Sequence, residues 1–250
     1  MINQMFVHNI DPILFSLGPL QIRWYGLFYA LAFIAGYFYI RHQAKKQNLA
    51  FDTENFLVYL IIGDLIGARV FEILFYNPSY YFSNPLEMLA IWHGGLSFHG
   101  GLLGGLIAAW LFSRKYKIPL LKLADLCSIP LAFGLFIGRI ANFINAELVG
   151  KITSVPWCVK FPDYEGCRHP TQIYEALKNL FILLILYPLS NKEHKDGYLF
   201  SVFLIMYSIL RFFIEFLKVP ETMFFFLTTG QALNILMLIF GIYLWKRTRN

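Results

Sequence analysis

Arg139, Asn142 and Glu147 fall at i, i+3 and i+8 where a long apolar run ends. On a continuous α-helix Asn142 would lie about 60° from Arg139 and Glu147 about 80° to its other side. One face then carries a cation, an amide and a carboxylate. An arginine inside a bilayer costs ~2.5 to 3.5 kcal/mol on insertion scales, so it faces a partner or a wet cavity. Arg211 and Glu215, four apart, repeat the pattern on a second apolar run, and Glu175 stands inside a third. Two readings stay open. The charges can simply clamp helices together, or the planar forks of Arg139, Arg211 and Arg69 can grip phosphate oxygens of an anionic lipid headgroup, with Glu147, Glu175 and Glu215 orienting them.

Proton transfer has its own candidate. His99 lies in the glycine-rich stretch Trp92 to Gly105, and an imidazole suits proton transfer near neutral pH; a histidine hydrogen-bonded in a helix interface is the plainer alternative. His93, six residues earlier, is a second candidate. Neither His/Cys metal spacings nor a GxSxG elbow nor a Walker loop occurs, so no metal or cofactor is expected. Arg69 follows Gly67-Ala68 with Asp64 and Glu72 close by. Lys178 reads as a structural lysine whose long stem reaches the interface, and Arg23 as a snorkelling residue at the outer end of the first helix. Thr171 is placed to cap the helix that carries Glu175.

These groups need elements to hold them. The chain is 250 residues, 58% hydrophobic and 14% charged, against about 25% charged in soluble domains. That composition specifies an all-α, polytopic integral membrane protein, a single domain over 1–250. About seven spans of roughly 20 residues are expected, near 21–40, 54–76, 88–112, 123–145, 172–190, 198–217 and 230–245. The net charge of +6 comes without the aromatic-laced basic stripe that tracks nucleic acid, so no nucleic-acid partner is expected. Met1 to Pro19 lacks Lys and Arg, so no removable signal peptide is expected.

Basic residues set the orientation. Arg41, Lys45, Lys46, Arg114, Lys115, Lys117, Lys122, Lys192, Lys195, Lys246, Arg247 and Arg249 lie on one side, against Lys151, Lys160, Arg168 and Lys218 on the other. The N-terminus is therefore expected outside and the C-terminus in the cytoplasm. The third segment is too glycine-rich for a regular helix in its first half, which suggests irregular backbone lining a cavity, followed by a helix. Gly100/Gly104 and Gly101/Gly105 have close-packing spacing, and Gly134/Gly138 repeats it on the fourth segment, pointing to close contact between those two segments. The outer loop, about 146–171, is a landing place for substrate. Within it Cys158 and Cys167 can form a disulfide or remain two thiols.

The stretch from Gly138 to Gly150, GRIANFINAELVG, resembles the signature G-R-x-[GA]-N-F-x-N-x-E-x-x-G of the bacterial prolipoprotein diacylglyceryl transferases at every fixed position. Arg23 to Leu27, Gly94 to Gly101, Arg168 to Glu175, Arg211 to Phe216 and Thr229-Gly230-Gln231 extend the resemblance over nearly the whole chain. It implies transfer of a diacylglyceryl group from phosphatidylglycerol to the lipobox cysteine of a prolipoprotein signal peptide, with release of glycerol phosphate. It also implies seven spans in the bacterial cytoplasmic (inner) membrane, with the site toward the outer leaflet. By position, Arg139 and Arg211 would hold the phosphate, His99 and Tyr25 would serve the reaction centre, and Asn142, Glu147, Glu175, Glu215 and Gly150 would shape the pocket. One departure is Lys218-Val219-Pro220-Glu221, where many members have Arg-x-Pro-Asp; charge is kept and the bidentate fork is lost. The rival class is a transporter or channel for an anion or lipid, for which inverted repeats are the mark; none is found between the halves.

Overall fold

The computed structural model describes residues 6–18, 20–49, 51–220 and 222–249. Pro19, Glu221 and both chain ends, on which part of the sequence reading rests, lie outside the described residues. Among the described residues, seven helices run to 18 residues or more: α1 (Trp24–Lys46), α2 (Thr53–Phe71), α4 (Phe98–Tyr116), α5 (Leu120–Ile144), α6 (Thr171–Leu189), α7 (Tyr198–Glu215) and α8 (Thr229–Arg249). A short α3 (Pro78–Ser83) follows a π turn, Glu72–Tyr76, that continues α2. Of these, α5, α6 and α7 are long and apolar enough to cross a membrane. The molecule is mostly helical and of membrane type.

Strands are few and short. β2 (Ile13–Leu17) and β3 (Leu20–Arg23) form an antiparallel hairpin, β1 (Phe6–Val7) pairs in parallel with β4 (Val159–Lys160), and β5 (Met223–Phe224) pairs with β6 (Leu227–Thr228). The first expected span therefore starts late. Arg23 ends a strand one residue before α1, with its guanidinium 3.5 Å from Gln21 Oε1.

The chain forms two compact units, one of residues 1–39 and 124–250, the other of residues 40–123. In the second unit, Asp52 caps α2 by accepting the amides of Glu54 and Asn55 at 3.0 and 3.1 Å. Gly63 and Gly67 of α2 lie against Gly100 and Gly104 of α4, so close that a methyl on any of the four would run into opposing backbone. Small residues spaced by four allow such approach. Their partners differ from those expected: Gly100 and Gly104 face α2, while a methyl on Gly134 of α5 would stand 3.5 Å from the Cβ of Ala32 on α1.

Residues 85–97 carry two 3₁₀ turns, with Gly94 and Gly95 at positive φ, before Ser97 caps α4 through the Gly100 amide. Arg69 organises this stretch. Its guanidinium donates to the carbonyls of Met88 (3.0 Å), Gly94 (2.6 Å), Gly95 (2.9 Å), Ala90 (3.2 Å) and Glu87, and to the Tyr81 hydroxyl (3.0 Å).

In the first unit the buried face of α6 carries Glu175, Lys178, Asn179, Ile182 and Leu186, the spacing of one helical face. Its first half is polar and its second apolar. The buried carboxylate of Asp125, on α5, accepts the amides of Gly197 and Phe200 at 2.7 and 2.8 Å, so α5 caps the start of α7. Cys158 and Cys167 are joined by a disulfide, which decides the alternative left open by the sequence. Val149, Val159 and Phe161 pack with Phe143 beneath this loop.

Candidate active site

The signature stretch is not one helical face. α5 ends at Ile144, and Ala146 and Leu148 then adopt left-handed backbone, with φ of 56° and 57°. Those two reversals fold Glu147 back onto the helix end. Its Oε1 accepts from Asn142 Nδ2 at 2.8 Å and Asn145 Nδ2 at 3.3 Å, while Asn142 Oδ1 stands 3.4 Å from Arg139 Nη1. Cation, amide and carboxylate are joined as anticipated, by a turn and not by helical periodicity. The helix hands over to the loop at 145–148.

Gly150 has a different task. A methyl at its Cα would stand 2.7 Å from His169 Cβ, His169 O and Thr171 Cγ2. Its amide donates to the His169 carbonyl at 3.0 Å, its carbonyl accepts from Arg168 Nη1 at 3.1 Å, and it pairs across a bridge with Lys218. Only a bare Cα permits that approach. Thr171 is no cap: it opens α6 and its hydroxyl donates to Leu148 O at 3.0 Å, beside the Gln172 amide on Glu147 O at 2.6 Å. The first turn of α6 thus holds the turn that holds Glu147.

Glu175 is the hub. Its side chain is 1% exposed and meets four cations: Arg139 Nε at 3.6 Å, Lys178 Nζ at 3.3 Å, Lys218 Nζ at 4.0 Å, and Arg211 Nη1 as a donor to Oε1. Arg211 Nη2 also pairs with Glu215 Oε2 at 2.9 Å. Four basic side chains gather here around the carboxylates of Glu175 and Glu215, with Glu147 linked to Arg139 through Asn142. Burial, then the repulsion of Arg211, pull the Lys218 ammonium below the ordinary lysine range. Burial lowers His169 too; its Nδ1 is 3.1 Å from the Tyr174 hydroxyl, which accepts from Trp157 Nε1 at 2.8 Å.

Tyr25, at the start of α1, lies within electrostatic range of Glu147 and Arg139. His99 and Arg69 belong to the other unit. His99 is exposed in the first turn of α4, with Nδ1 3.3 Å from the Tyr76 hydroxyl. Arg69 is 5% exposed and its donors are spent on backbone carbonyls. That geometry makes it the anchor of the glycine-rich stretch.

The sequence model of the family described as "Prolipoprotein diacylglyceryl transferase" matches residues 12–247. The chain belongs to this family. It is 43% identical over 243 residues to the "Phosphatidylglycerol–prolipoprotein diacylglyceryl transferase" of Geobacter sulfurreducens, covering 94% of each chain. To the protein of that name in Rickettsia rickettsii it is 43% identical over 248 residues, covering 94% of this chain and 96% of the relative. To that of Nitratidesulfovibrio vulgaris it is 40% identical over 248 residues, covering 95% and 94%.

Two members of this network, Lys178 and Lys218, do not stand out in the sequence as site residues. Lys178 does not reach toward an interface; its ammonium is buried on Glu175 and 3.5 Å from the centroid of the Tyr207 ring. The signal was there, three residues after Glu175 on one helix. Lys218 joins from the bridge with Gly150, a tertiary pairing that local spacing does not encode.

Proposed function

We propose that the protein transfers the diacylglyceryl group of phosphatidylglycerol to the lipobox cysteine of a prolipoprotein, forming a thioether and releasing glycerol phosphate. Family membership carries the transferase class. The observation that carries the site is the convergence of Arg139 from α5 and Arg211 from α7 on the single buried carboxylate of Glu175.

In this reading the thiol sulfur attacks the glycerol carbon that bears the phosphate ester. The new S–C bond forms as the C–O bond breaks, and glycerol phosphate leaves with the electron pair. Arg139 and Arg211 stabilise the charge gathering on that phosphate, a contribution of about 3 kcal/mol per well-placed donor. Lys178 and Lys218 add to the field. Asn142 and Glu147 aim Arg139, Glu215 aims Arg211, and Gly150 keeps the 149–151 segment seated on His169 and Lys218. His99 takes the thiol proton and Tyr25 attends the reaction centre; both assignments rest on the motif resemblance and on chemical type. Arg69 holds the backbone that precedes His99.

The proposal extends to the setting. Residues 1–250 act as one catalytic domain with seven spans, an outer loop near 146–171, the N-terminus outside and the C-terminus in the cytoplasm. Its place is the bacterial inner membrane, with the site toward the outer leaflet. Support comes from the family match, which runs through both compact units, and from the asymmetry of basic residues.

Purified protein given labelled phosphatidylglycerol and a lipobox peptide tests the reading. Label on the cysteine together with free glycerol phosphate is the expected result. Lipid binding with no thioether would instead favour the transporter class.

A further inference from the structure

Thr229-Gly230-Gln231 is the motif to which the transfer scheme gives no role, yet its backbone is tightly held. Thr228 Oγ1 accepts the Gln231 amide at 3.1 Å, and Gln231 Oε1 accepts the Thr228 amide at 3.0 Å, the reciprocal pattern of a capping box. The Thr229 amide donates to the Thr222 carbonyl at 3.2 Å, and the two threonine hydroxyls are 2.6 Å apart. The first turn of α8 is thereby fixed to the β5–β6 hairpin.

What this holds in place is the Cα of Gly230 against Glu215. A methyl group at 230 would stand 2.7 Å from Glu215 Oε1, 2.8 Å from Cδ and 3.1 Å from Oε2, all inside van der Waals contact. Gly230 is helical and not at positive φ, so the backbone itself does not demand glycine. The neighbour does. Glu215 is buried, and its Oε2 faces Arg211 Nη2 at 2.9 Å without an aligned hydrogen bond to any described group. Its placement therefore depends on packing as much as on pairing.

We propose that Gly230 is a positioning residue for the transfer reaction. Its missing side chain is the slot in which the Glu215 carboxylate lies, and that slot keeps Glu215 on one edge of Arg211 while Glu175 holds the other. A methyl at 230 would displace the flexible carboxylate and leave the two helix backbones where they are, so the damage would fall on the aim of Arg211. The inference rests on the reading of Arg211 as a phosphate ligand.

The test is a double-mutant cycle. Gly230→Ala is made in the natural protein and in a Glu215→Ala background, and KM for phosphatidylglycerol, kcat and Tm are read for all four proteins in detergent. Residues in contact couple, so Gly230→Ala alone is expected to raise KM about tenfold with a smaller change in kcat. In the Glu215→Ala background the same substitution should change nothing further. An equal loss in both backgrounds, or no loss in either, overturns the proposal. If Gly230→Ala fails to fold with Glu215 present, folding restored by Glu215→Ala supports the slot, and failure in both backgrounds refutes it. Absence of transfer by the natural protein would overturn the transferase reading and with it the role in transfer; the Tm cycle still decides the contact.

Discussion

Arg139 Nε lies 3.6 Å from Glu175 Oε2 while Arg211 takes the other oxygen of the same carboxylate. One side chain of α6 thus fixes the spacing of two guanidinium groups from α5 and α7, which is what a phosphate held between two arginines needs. Glu175→Gln keeps the shape and removes the charge. Breaking a buried ionic cluster from one side costs about 3 to 5 kcal/mol, so a clear drop in Tm and loss of transfer are expected. An unchanged Tm would show that the cations do not depend on Glu175.

Arg139→Lys and Arg211→Lys separate charge from geometry. Each keeps a cation and loses the planar fork, and the expected loss in kcat/KM is about a hundredfold. Full activity in either variant would remove that arginine from the phosphate clamp.

Lys178→Met tests the cation cluster. Removing one member of a buried ionic cluster is costly when it strands an unpaired charge, and here Arg139, Arg211 and Lys218 remain on Glu175. Tm is expected to hold while KM for phosphatidylglycerol increases several-fold. A collapse of Tm would mean that Lys178 is needed as a counter-ion.

Arg69→Lys tests the anchor. A lysine has three donors where Arg69 serves five carbonyls and a hydroxyl, so loss of about 2 to 4 kcal/mol of stability is expected. Transfer should fall through kcat more than KM, because the stretch before His99 loosens while Arg139 and Arg211 stay on Glu175. A selective rise in KM would instead favour a role for Arg69 in binding the lipid.

The disulfide makes a separate prediction. Alkylation of the denatured protein without reductant should modify one cysteine, Cys127, and with reductant all three. Three modified cysteines without reductant would show that Cys158 and Cys167 are unpaired.

Sequence alone specified the chemistry of this protein and most of its helices. Apolar runs bounded by basic residues mark where helices lie because the hydrophobic effect acts on each segment separately. Arg139, Arg211, Glu175 and Glu215 stand out because ions inside apolar segments are costly enough to need a reason. Tertiary structure decided how those ions meet. Glu147 reaches Asn142 only because Ala146 and Leu148 turn the chain back, and Lys218 reaches Glu175 only because Gly150 sits close enough to His169 to bridge to it. Gly100 and Gly104 have matching spacing on more than one segment, so choosing α2 over α5 required the packed partner. Arg69 reads in sequence like the other intramembrane arginines; only the folded 87–97 backbone shows that its donors are already taken. Spacing encodes neighbours within one helix, whereas contacts between elements depend on turns and close approaches that the whole fold sets at once.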